Sequence, residues 1–304
     1  MPKRSFSRGR FVPLLIHGAL AVLVLGAWLT PVGGEDGLKG QGRRDFSAPP
    51  QRLISLAPSI TEILYFLELG ERVVGVTSYC NFPPEVAGKP RVGTYWEYNL
   101  EAILALKPDL ALVMVEQGEG ESSLAALRHW KIPLYLAQAD TLAELFRLIQ
   151  AIAGVTGQEE VARRKLPLLK ARAQAIEARV QGRTHPRVFL QIDQEPLITV
   201  GRPAIQNDLL KRAGGMNIAG HIDKRYPIFS LEEVLKAQPE VILFTGMVGA
   251  SVVPARLSFW RQWPMLPAVN TGRLHWVEPD LIDRPGPRLV DGLESLARLL
   301  HPGL

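Results

Sequence analysis

Short apolar runs alternate along this chain with stretches whose apolar residues recur at helical spacing. Arg52 to Ala57, Val73 to Thr77, Arg187 to Ile192 and the alternating Arg273 to Val277 read as strands. The runs after Pro108 and after Pro239 are uninterrupted, the pattern of parallel strands buried on both faces. Ser59-Ile-Thr-Glu62 has the form of a capping box and starts a helix reaching about Gly70. Gln206 to Ala213 is a second helix, stopped by Gly214-Gly215. Between these two halves Leu142, Leu145, Ile149 and Ile152 keep helical spacing, and Glu159 to Val180 continues as a long charged helix with Pro167 inside it.

One helix-to-strand unit is written twice. Asn99-Leu-Glu-Ala-Ile-Leu-Ala-Leu-Lys-Pro-Asp-Leu-Ala-Leu-Val113 returns as Ser230-Leu-Glu-Glu-Val-Leu-Lys-Ala-Gln-Pro-Glu-Val-Ile-Leu-Phe244. In each copy a polar N-cap opens a short amphipathic helix, a residue before proline ends it, and a buried strand follows. The fold class is therefore α/β: two Rossmann-like lobes with mostly parallel sheets, joined by a single long helix around Leu166 to Val180. Glu101 and Glu232 occupy the same first-turn position of the two units, which suggests something that touches both lobes at once. Acids there are also favoured by the helix dipole whatever their function, and Glu233, three residues after Ser230, has a purely structural place in a capping box.

The chain divides into residues 1–34, a linker over 35–50, an N-terminal lobe over 51–140, a connecting helical segment over 141–182 and a C-terminal lobe over 183–304. Residues 1–34 carry a basic start and an apolar stretch from Phe11 to Thr30, which fits a signal peptide and equally a membrane anchor, since about 20 residues span a bilayer. No cysteine stands at the end of that stretch, which argues against a lipid anchor there. The formal net charge of +5 owes four charges to Lys3, Arg4, Arg8 and Arg10, so the folded part is close to neutral and offers no basic footprint for nucleic acid.

Cys80 is the single cysteine, so no intramolecular disulfide forms. A thiolate beside a pocket can serve as an axial ligand to a bound metal centre, and a lone cysteine also serves as a small buried hydrophobe. The six histidines stand at no metal-ligand spacing, and neither a nucleophile motif nor a phosphate-binding loop with its Lys-Ser/Thr is present. Trp260, Trp263 and Trp276 read as core or pocket, Trp276 as core. Loops Glu116 to Glu121 and Thr245 to Ala250 follow the repeated strands, where ligand crevices commonly lie.

Arg52-Leu-Ile-Ser-Leu-Ala-Pro-Ser-Ile-Thr-Glu62, Val74-Gly-Val-Thr-Ser-Tyr-Cys-Asn-Phe-Pro-Pro84, Asn99 to Asp109 and Gly201 through Gly215-Met-Asn-Ile218 resemble one family. It comprises the substrate-binding proteins of ABC importers for cobalamin, iron-siderophores and haem, and the resemblance covers nearly all of residues 51–302. It is strongest to the cobalamin-binding branch. It implies a protein that binds rather than catalyses, on the outer side of the cytoplasmic membrane, periplasmic or anchored. It implies a corrinoid held between the lobes as cargo, with no resident cofactor, and delivery to a permease dimer with its ATPase subunits.

Matching motif to motif, the resemblance places Tyr79, Tyr95, Trp96, Ile198 and Tyr226 against the macrocycle and Asp280, Asp283 and Arg284 at its periphery. Tyr95 and Tyr226 stand where tryptophan is expected and Ile198 where phenylalanine is. It makes Glu101 and Glu232 the acids that dock on arginines of the two permease subunits. The alternatives are a ferric siderophore or haem as ligand, an anchored sensor domain that feeds no transporter, and an enzyme.

Overall fold

The computed structural model describes residues 48–94, 97–115, 121–246 and 250–304. The amino-terminal apolar stretch, Tyr95, Trp96, and most of the two loops noted above lie outside them. In the first lobe, strands β1 (Leu53–Ser55), β2 (Val73–Val76), β3 (Leu110–Met114) and β4 (Leu134–Ala137) form a parallel sheet in the order β2-β1-β3-β4. Helices α1 (Pro58–Phe66), α2 (Leu100–Ala105) and α3 (Glu121–His129) connect them. In the second lobe, β5 (Arg187–Gln194), β6 (Leu197–Thr199), β7 (Met216–Asn217), β8 (Val241–Phe244) and β9 (Leu274–Trp276) form a sheet in which β7, β8 and β9 run parallel to the strands they pair with. Only β6, folded back on β5, is antiparallel.

The order β7-β5-β8-β9 repeats β2-β1-β3-β4. The duplication extends to single side chains. Asn99 accepts from the Ala102 amide and Ser230 from that of Glu233, capping α2 and α7 (Leu231–Ala237) in the same way. Both helices are followed by a residue at positive φ, Lys107 at 46° and Gln238 at 50°. Arg52 donates to the carbonyls of Leu106 and Lys107, and Arg187 to those of Ala237 and Gln238, so that each arginine closes the carboxyl end of its helix. Asp109 accepts from the Arg52 amide at 2.9 Å and Glu240 from the Arg187 amide at 2.9 Å, tying each unit's second strand to its first.

The connector is two helices, α4 (Leu142–Thr156) and α5 (Glu159–Val180), joined through Gly157 at φ 69°. The left-handed backbone there is one that glycine takes without strain. Helix α5 runs through Pro167 unbroken, its packing along α4 and along α11 (Leu289–Leu300) outweighing the lost hydrogen bond. Lys165 reaches back to the Phe66 carbonyl and to Glu68 in the first lobe, and Arg172 pairs with Asp291 and Glu294 on α11.

The main apolar core is continuous across these elements, running from Leu53, Ile60 and Ile63 through Leu145, Ile149 and Leu166 to Leu190, Leu209, Leu293 and Leu296. The remaining helices are α6 (Ile205–Arg212), α8 (Val253–Arg261), α9 (Pro267–Asn270) and α10 (Pro279–Ile282). Trp260 is fully buried on the far side of the second sheet, its indole N–H donating to Gln191, and Trp263 and Trp276 pack in the same cluster. No helix among the described residues is long and apolar enough to cross a membrane.

The expected capping box at Ser59 does not form. Pro58 fits the first helical position, where no N–H is needed, so α1 begins two residues earlier with Ala57 as its N-cap. This frees Glu62, and its carboxylate turns to the second lobe.

Candidate ligand-binding site

The loops after β2 and after β9 bring the carboxyl ends of the two sheets together, the position where open α/β sheets bind ligands. At that meeting point Asn81 Nδ2 donates to Asp280 Oδ2 at 3.0 Å, and Arg284 Nη1 donates to Asn81 Oδ1 at 2.6 Å. Arg284 Nη2 lies 2.7 Å from Asp280 Oδ1. Four residues on, just before α11, Arg288 Nη2 is 3.6 Å from Asp280 and 2.6 Å from Glu62 Oε1, and its guanidinium lies 4.1 Å from the centre of the Phe82 ring. Glu62 is buried, and burial pushes its pKa above the ordinary carboxylate value, against the Arg288 hydrogen bond and charge that pull it down. Between the two arginines a Cβ at Gly286 would stand 2.9 Å from Glu62 Oε2, so a larger residue there would displace the Glu62 carboxylate. A second bridge between the lobes joins Arg225 to Asp140.

Exposed and half-buried apolar side chains lie on the loop after β2 and along β6 with the segment beside it. Tyr79 is 49% exposed on the loop after β2, two residues before Asn81. Ile198 lies on β6, and the segment Arg225 to Phe229 runs beside it: Thr199 donates to the Pro227 carbonyl, Phe229 donates to that of Leu197, and Ile198 bridges Ile228. Tyr226 is partly buried against the main core. Ile228 is 65% exposed while its neighbour Phe229 is buried. Sequence reading passed over Ile228, although the two-residue alternation of an extended segment would have turned it to the same side as Tyr226.

Asp280 and Arg284 thus stand at the lobe junction, and Asp283 stands apart from them. Its Oδ1 accepts from Gln206 at 2.9 Å and its Oδ2 from Thr245 at 3.0 Å, both within the second lobe. Burial, the largest cause, raises its pKa to about 6, the two hydrogen bonds opposing. Both oxygens tie α6 and the end of β8 to α10 within the second lobe. Cys80 departs further from expectation. It is buried in the core of the first lobe with its sulfur 3.1 Å from the Thr61 hydroxyl and 3.2 Å from that of Thr77, so packing has claimed the thiol considered as an axial ligand. No cluster of metal-ligating side chains occurs among the described residues.

Glu101 and Glu232 are both exposed, each two residues after its N-cap on α2 and α7. A cavity of about 700 Å³ adjoins this junction on the flank of the first lobe, lined by Tyr65, Phe66, Phe82 and Pro287 together with Glu62 and Arg288.

Paired α/β lobes on a helical connector, meeting at a polar junction, have the architecture of a two-lobed binding protein. The chain belongs to the periplasmic binding protein family, whose model matches residues 53–280. It is 32% identical over 253 residues to the vitamin B12-binding protein of Vibrio cholerae, covering 83% of this chain and 90% of that one. The crystal structure of the periplasmic vitamin B12-binding protein BtuF of Vibrio cholerae superposes with a TM-score of 0.74 over 83% of this chain and 97% of the other, at 32% identity. The ABC transporter substrate-binding lipoprotein YvrC of Bacillus subtilis is 30% identical over 261 residues, 83% of this chain and 81% of its own. The periplasmic heme-binding protein RhuT of Roseiflexus, in apo form, has a TM-score of 0.72 at 27% identity over 82% of this chain and 97% of the other. The protein is accordingly an extracytoplasmic substrate-binding protein of the ABC importer type and not an enzyme.

Proposed function

We propose that this protein captures a corrinoid, cobalamin or cobinamide, between its lobes and delivers it to the permease dimer of an ABC importer driven by its ATPase subunits. The observation that carries the corrinoid is the charge balance of the junction. Arg225, Arg284 and Arg288 are each paired with a carboxylate of the protein itself, Asp140, Asp280 and Glu62 respectively. Haem brings two carboxylates and catecholate siderophores bring several negative charges; either would call for cations not already neutralised. A corrin ring edged with neutral amides needs broad apolar faces and a few paired donors and acceptors. Tyr79, Ile198, Tyr226 and Ile228 offer the faces, with Tyr95 and Trp96 assigned to them from the sequence. Asp280 and Arg284 offer the polar pair. The 32% identity to a vitamin B12-binding protein supports the same ligand.

Delivery rests on Glu101 and Glu232, one exposed acid at equivalent points of the two lobes, placed to meet positive charges on two permease subunits. Such contacts orient a transient complex and raise its association rate. One experiment addresses both halves of the reading. The wild-type chain and a Glu101→Arg, Glu232→Arg variant are mixed with cyanocobalamin, cobinamide, haemin or a ferric siderophore, desalted and scanned in the visible range, and both are assayed for uptake in cells carrying the cognate permease. Both should keep corrinoid colour while only the wild type supports uptake. Retention of haemin or siderophore with loss of corrinoid would move the ligand, and normal uptake by the variant would remove the docking role.

A further inference from the structure

We propose that Asn81 is a positioning residue of the cleft: its single side-chain amide holds both the Asp280 carboxylate and the Arg284 guanidinium in fixed register with the first lobe. The inference rests on the corrinoid reading for what the positioned groups serve, and on geometry alone for the positioning itself.

The three side chains close a ring in which every partner is matched. The Asn81 NH2 donates to Asp280 Oδ2, the Asn81 carbonyl oxygen accepts from Arg284, and Arg284 reaches Asp280 Oδ1 with its other terminal nitrogen. A carboxylate at position 81 would set an acceptor against an acceptor, and a hydroxyl could not span both partners, so the chemistry calls for an amide. The orientation of that amide is fixed as well, because turning it over would point NH2 at the guanidinium. From the ring the chain of contacts continues through Arg288 to the buried Glu62, so an exposed residue at the rim is anchored to the interior of the lobe junction. Charges alternate along it, acid and base in equal number. The two groups that would meet the amide edge of a corrinoid are thereby held by a residue of the opposite lobe, some 200 positions away in sequence.

Exposed ion pairs taken singly contribute little, so the test depends on the ring acting as a unit. Asn81→Asp and Asp280→Asn each leave two like groups facing one another. The double variant Asn81→Asp, Asp280→Asn exchanges donor and acceptor and rebuilds the ring with the same total charge. In the ligand-free full chain, each single variant should lower the unfolding midpoint by about 2–4 °C, and the double variant should recover most of that loss. With cyanocobalamin in stopped flow, Asn81→Asp, which leaves both ligand-facing groups in place, should release ligand roughly 10-fold faster with association changed less than about 2-fold.

Midpoint losses that simply add in the ligand-free double variant would overturn the ring whatever the ligand is. A lowered midpoint in Asn81→Asp with cyanocobalamin release unchanged would overturn the positioning role. A rescued midpoint in a protein whose wild type does not hold cyanocobalamin would overturn the corrinoid reading while upholding the ring.

Discussion

At the scale of single residues, the carboxylates of this protein differ by environment more than by type. Glu101 and Glu232 are solvated, Asp280 is shared among Asn81, Arg284 and Arg288, and Glu62 and Asp283 are desolvated. Asp283 has a measurable consequence. Its pKa rises from 3.8 to about 6 on folding, so the folded state binds the extra proton between those values and stability falls as pH rises through that window. The loss amounts to at most about 3 kcal/mol, since one pKa unit corresponds to about 1.4 kcal/mol. Asp283→Asn removes the ionisation and can still accept from Thr245, while its NH2 can donate to the Gln206 amide oxygen, which has no partner in the wild type. Chemical denaturation from pH 4 to 8 should show the variant more stable than wild type by about 1–3 kcal/mol at pH 8, with the wild-type decline between pH 4 and 6 reduced. An undiminished decline would place the titration elsewhere. The roles of Glu62 and Asp283 were not legible in the sequence, because their partners lie 226 and 77 positions away respectively. Ser59-Ile-Thr-Glu62 even offered a local reading that Pro58 displaced.

At the scale of elements, the duplicated unit was legible because it is local. An N-cap, a helical stripe, a pre-proline stop and an apolar run each act within a few residues, and both copies fold as their pattern requires. The arginine and acid that finish each unit, Arg52 with Asp109 and Arg187 with Glu240, repeat at matching places but reveal their purpose only when the strands pair. Contact between helices is less legible still. Gly292 lies inside α11, where alanine would normally be favoured over glycine by about 1 kcal/mol. Here a Cβ would fall 2.1 Å from the Leu281 carbonyl oxygen on α10, an overlap that neither backbone can absorb without moving. Gly292→Ala should therefore destabilise the protein by about 2–4 kcal/mol in denaturant titrations. A stabilised variant would show that α10 moves away at little cost.

At the scale of the whole molecule, two sheets of the same order are joined by a core that does not stop at the lobe boundary. Helix α5 is fixed to the first lobe by Lys165 and to α11 by Arg172, and the polar chain from Glu62 to Asn81 holds the lobes at their other meeting point. A molecule connected in this way is expected to change its lobe separation only slightly on binding, unlike receptors that close about a flexible hinge. The general architecture was legible from the repeat and the long charged helix. The junction was legible only in part: the resemblance indicated Asp280 and Arg284, whereas Asn81 and Ile228 needed the fold.

The central claim is that a corrinoid sits between the lobes without large rearrangement, and a crystal structure of the full chain with cyanocobalamin tests it most directly. The account predicts the corrin ring between Tyr79 on one lobe and Ile198 with Ile228 on the other, amides of its edge against Asp280 and Arg284, and lobes displaced little from their ligand-free positions. A corrinoid in the flank cavity beside Tyr65 and Phe66, or lobes swung together about α5, would contradict it.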